Sequence, residues 1–75
     1  MNSKEIKKII DSADGNDFIT IIQKDNKNSI KFKKHSCLIR FDSENTSIIL
    51  NDKYKPNKKV LTDDSIEDII ISRPI

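Results

Sequence analysis

Seventy-five residues, 35% of them charged, with a formal net charge of +2 and one cysteine, describe a single small domain with no internal disulfide. A chain this short buries only about 60% of the surface its unfolded form exposes, so its core is marginal and self-association is expected to supplement it. No apolar stretch approaches the roughly 20 residues that span a bilayer, and Met1 to Ala13 lacks the unbroken apolar run of a signal peptide. The expectation is a cytoplasmic protein that makes no membrane contact, the unpaired Cys37 suiting a reducing compartment.

Ser3 is the expected N-cap of a helix over about residues 3–14. Ile6, Ile9, Ile10 and Ala13 fall on one face of that helix, and Gly15 is placed to end it in the left-handed C′ conformation. Phe18–Gln23 follows as a strand, and Lys24–Asn28 as a hairpin connection. In the next stretch Ile30 and Phe32 are apolar at even positions, whereas Cys37, Ile39 and Phe41 are apolar at odd ones. Side chains alternate faces along a strand, so a parity reversal requires a bulge or a sharp corner, placed here at His35-Ser36. A strand at Thr46–Leu50, a polar loop over Asn51–Lys59 and a terse strand at Val60-Leu61 come next. Thr62–Glu67 reads as one helical turn, and Asp68–Ser72 as the last strand, stopped by Arg73-Pro74.

This order is mainly β with one N-terminal helix. It predicts a five-stranded, bent, antiparallel barrel, with bulges making the corners. Three stretches resemble the Sm-like family of small SH3-like barrels, Hfq-type proteins in particular: Asn28-Ser29-Ile30-Lys31-Phe32, Phe41-Asp42 with Ser47–Leu50, and Ser65-Ile66 through Ser72-Arg73-Pro74-Ile75. The resemblance covers most of residues 28–75 and implies an RNA-binding, ring-forming barrel whose second strand is long and bent. Ser29 replaces the family's turn glycine, a second glycine is absent, and about two residues are added around Lys34–Ser36. Asp63-Asp64 stands where the family carries a basic Lys-His pair, a charge reversal that argues against a uridine-binding pore on that face.

The charges are segregated. Lys24 to Arg40 holds six cations and one acid, Lys53–Lys59 holds four lysines and no acid, and Asp63, Asp64, Glu67 and Asp68 are clustered. Lysines that release counterions from a phosphate backbone make Lys27, Lys31, Lys33 and Lys34 candidates for nucleic-acid binding, together with the loop residues Lys53, Tyr54, Lys55, Lys58 and Lys59. Lys31 and Lys33 share a strand face about 7 Å apart, while Tyr54 is suited to stacking on a base or filling a partner's pocket. The competing reading of the same lysines is a solvated face that discourages edge pairing.

One histidine and one cysteine do not complete a zinc site, and one glycine does not make a phosphate cradle. No nucleophile–base arrangement emerges either, so neither a cofactor nor an enzymatic activity is expected. The leading expectation is a non-enzymatic, self-associating protein that binds RNA or DNA. The alternatives are a protein-interaction module from a phage or other mobile element, acting through Tyr54 and the acidic turn, and an oligomer holding a small ligand between subunits.

Overall fold

The computed structural model describes residues 1–25 and 28–75. Helix α1 (Ser3–Asp11) is followed by β1 (Phe18–Gln23), β2 (Ser29–Lys33), a 3-10 turn at Lys34–Ser36, β3 (Cys37–Asp42), β4 (Ser47–Asp52) and β5 (Lys58–Thr62). A second 3-10 turn at Asp63–Ser65 leads into β6 (Ile66–Ser72). The strands form two antiparallel three-stranded sheets, ordered β2-β1-β6 and β3-β4-β5. The described residues are thus mainly β with one helix, and they form six strands rather than the five expected.

The extra strand comes from the predicted corner. The parity reversal is present, but the stretch is not one bent strand. Lys34–Ser36 coils into a 3-10 turn, leaving β2 paired to β1 in one sheet and β3 paired to β4 in the other. Backbone bonds from Lys34 N–H to the Asp17 carbonyl (2.9 Å) and from His35 N–H to the Gly15 carbonyl (3.0 Å) hold the turn against the segment after α1. Backbone groups used in this way cannot continue a sheet ladder.

The helix differs at both ends. Asn2, not Ser3, is the N-cap: its Oδ1 accepts from Glu5 N–H at 2.9 Å, while the Ser3 hydroxyl donates to Asp63 Oδ2 at 3.1 Å. The helix stops at Asp11, where the Ser12 hydroxyl turns back to the Ile9 carbonyl at 2.6 Å. Gly15 does not adopt a left-handed conformation. β4 extends to Asp52, and β5 starts at Lys58 because pairing with β4 carries it outward to the Asn51–Lys58 position.

One core joins both sheets and the helix. β1 supplies Ile19 and Ile21, β4 supplies Ile48 and Leu50, β5 supplies Leu61, β6 supplies Ile66 and Ile69, and the helical segment adds Ile6, Ile10 and Ala13. Six isoleucines (Ile6, Ile10, Ile19, Ile21, Ile48 and Ile66) are fully buried, each contributing roughly 1.5–3 kcal/mol by removal from water. Phe32 and Phe41 pack at the core's margin, as do Cys37 and Ile39, in keeping with the inward parity on either side of the turn. Among the described residues, no helix is long and apolar enough to cross a membrane.

Candidate functional site

The basic cluster does not act as a unit, because its members lie on different surfaces. Lys27 lies outside the described residues. Lys34 Nζ donates to the Ala13 carbonyl at 2.6 Å in a partly buried contact, so this lysine fastens the 3-10 turn to the chain leaving the helix. An ammonium held that way is a structural tie, not a free phosphate contact.

Lys31 and Lys33 do share a face. β1 and β2 pair so that Lys33 lies opposite Phe18 and Lys31 opposite Thr20. Both ammoniums sit over the Phe18 ring, 5.2 Å and 5.5 Å from its centroid, within cation–π range. Ile19 and Ile21 of β1 face the core, so Phe18, Thr20, Lys31 and Lys33 line the outer surface of that sheet. On the other side of β1, Ser72, Ile70 and Asp68 of β6 stand opposite Phe18, Thr20 and Ile22. The outer surface is therefore basic along β2 and carries an acid on β6.

A second place brings distant lysines together. Lys31 of β2 and Lys59 of β5 line one open cleft of about 170 Å³, with Ile30, Phe32 and Leu50 as its apolar lining. Lys59 reaches this side because it pairs with Leu50, whereas Lys58, opposite Asn51, belongs to the outer surface of its sheet. Cys37 also lines the cleft. Burial pushes its thiol above the usual range, and the Asp52 carboxylate adds to the effect. The group is thus a neutral thiol near neutral pH rather than a reactive thiolate.

The loop between β4 and β5 is built, not loose. Asp52 Oδ1 accepts from the N–H groups of Tyr54 (2.8 Å) and Lys55 (3.2 Å), while Lys53 N–H donates to the Ser36 carbonyl at 3.0 Å. These bonds place the loop base beside the Lys34–Ser36 turn and leave the Tyr54 side chain 76% exposed at the surface.

The acidic residues separate too. Asp63 is buried against Ser3 at the start of α1, where a helix N-terminus favours an anion. Ile66 and Glu67 belong to β6 rather than to the expected helical turn, and Asp68 lies in that strand as expected. Among the described residues, no group of three or more His, Cys, Asp or Glu side chains is arranged to hold a metal ion.

Phe18 is the residue that the lysine pattern missed. Phe32 and Phe41 pack against the core cluster, but Phe18 stands apart from it beneath two ammoniums. The signal was available: Ile19 and Ile21 turned inward oblige Phe18 and Thr20 to face out. Comparison of the chain with protein-family models, with curated proteins and with solved structures returned no match.

Proposed function

We propose that this chain is a non-enzymatic module that binds RNA or DNA through lysine–phosphate contacts along β2, from Lys59 of β5 and along the Lys53–Asn57 loop. The observation that carries the reading is the convergence of Lys31 and Lys59 on one cleft, flanked by a loop that Asp52 and Ser36 hold in place. Lys31 and Lys59 thereby border one cleft, with Asp52 as the acid in its lining and the Lys53–Asn57 loop following that acid in the chain, and lysines grouped in this way attract polyanions. Lys34 is left out of this set, because its ammonium is engaged by the Ala13 carbonyl.

The same reading takes the two sheets as halves of a small Sm-like barrel. In its support, the chain crosses between the sheets at two 3-10 turns, the first joining β2 to β3 and the second joining β5 to β6. Self-association belongs to the reading as well. Val60, opposite the buried Ile49, and Leu38, opposite Asn51, are 56% and 59% exposed on the outer surface of the β3-β4-β5 sheet, with Arg40 on the other side of Ile49, and a second copy of the chain is the occupant we propose for that surface.

The test is anisotropy of a labelled oligonucleotide titrated with protein at several salt concentrations. Affinity should fall steeply between about 50 mM and 200 mM salt, and the Lys31→Glu, Lys59→Glu double variant should lose binding while keeping its folded circular-dichroism spectrum. Absent binding, or binding indifferent to salt, sinks the reading. Light scattering tests the second part: Leu38→Lys with Val60→Lys should shift an oligomer toward monomer.

A further inference from the structure

We infer that the outer surface of the β2-β1-β6 sheet is a platform for single-stranded nucleic acid, with Phe18 as the residue on which a base stacks. The inference rests on the nucleic-acid reading above and specifies which form of the polymer is bound. Phe18 is where an aromatic serves a ligand better than it serves the fold. The other two phenylalanines pack against the core, whereas Phe18 lies outside that cluster on a solvent-facing strand surface. Its cross-strand neighbours are Lys33 on β2 and Ser72 on β6, and Thr20 follows it on the same surface. Thr20 and Ser72 are short and Ile70 stands opposite Thr20, so the groups resting over the ring itself are the two flexible lysines.

Those lysines supply the mechanism. In the free protein the Lys31 and Lys33 ammoniums rest over the ring at 5.2 Å and 5.5 Å. Cation–π contacts at a solvated surface are weak, and a phosphate is a stronger partner for an ammonium. An arriving strand therefore draws both lysines outward onto its backbone and uncovers the ring for one of its bases. The exchange requires a base whose face is free, a condition single strands meet and a stacked duplex does not. Asp68 on β6 bars phosphate from the far side of the sheet and keeps the strand on the β2 side.

The experiment compares three labelled probes on the wild-type protein: a short oligothymidylate, a strand of equal length and charge with abasic sites in place of bases, and a duplex of equal phosphate number. Stacking on Phe18 makes the oligothymidylate bind roughly tenfold or more tightly than the abasic strand, and more tightly than the duplex. Phe18→Leu, checked for folding by its thermal melt, should erase that difference while the salt dependence stays. Equal affinity for intact and abasic strands overturns the platform and leaves the phosphate-binding reading standing. A base preference lost in Tyr54→Ala but kept in Phe18→Leu also overturns it, because the base then stacks on the loop. If none of the three probes binds, both readings fall together.

Discussion

The Lys34 ammonium donates to the Ala13 carbonyl oxygen at 2.6 Å, joining the corner between the two sheets to the chain that leaves the helix. Two backbone bonds, Lys34 N–H to Asp17 and His35 N–H to Gly15, act on the same segment. Lys34→Met keeps the aliphatic stem and removes the charged donor. Its urea midpoint should fall by an amount equivalent to about 1.5–3 kcal/mol, the range for a hydrogen bond to a charged group. Nucleic-acid affinity measured on the folded variant should hardly change.

Lys31 and Lys59 should behave in the opposite way. Both line the cleft, so neutralising either as Lys31→Gln or Lys59→Gln is expected to lower the slope of log affinity against log salt by about 1. Lys58 is the control. It pairs with Asn51 on the other surface of its sheet, and Lys58→Gln should leave the slope nearer its wild-type value. Anisotropy titrations of all three variants give the comparison directly.

Asp42 gives the fold a pH dependence. Its carboxylate accepts from the Asn45 side chain at 2.8 Å and from the N–H groups of Glu44 and Asn45, capping the turn between β3 and β4. The Asn45 side chain, then the Asn45 and Glu44 N–H groups, hold Asp42 below its ordinary value, with a smaller contribution from Arg40. An unfolded aspartate ionises near pH 3.9. The stabilisation is therefore fully present above that pH and is lost as pH falls through the lower folded value. Thermal melts across the acid range should show a shallower decline for Asp42→Asn than for the wild type. An unchanged acid limb contradicts the assignment.

Core and surface positions of similar chemistry should separate cleanly. Ile66 is fully buried at the start of β6, whereas Val60 on β5 is 56% exposed. Ile66→Ala is expected to cost about 2–5 kcal/mol, a large part of the roughly 5–15 kcal/mol that holds a small domain together. Val60→Ala should stay within about 0.5 kcal/mol. Urea denaturation with a common slope distinguishes the two.

The alternation of apolar residues was enough to predict the first strand, the inward register on each side of Lys34–Ser36, and the isoleucine face of the helix. These are local properties, because backbone geometry alone sends successive strand residues to opposite faces and every third or fourth helical residue to the same one. The same alternation sends Phe18 to the outer face opposite Ile19 and Ile21, a placement that the lysine pattern does not signal. What local pattern could not convey was which long-range partner each polar group would take. Ser3 resembles a cap until Asp63 takes its hydroxyl. Lys34 resembles its neighbours Lys31 and Lys33 until the Ala13 carbonyl takes its ammonium. Lys58 and Lys59 look like loop residues until pairing with β4 makes them a strand. Sequence determined which residues had to be buried; tertiary structure alone decided which of the charged ones remained free to meet a ligand, because a hydrogen-bond partner far along the chain leaves no periodic trace.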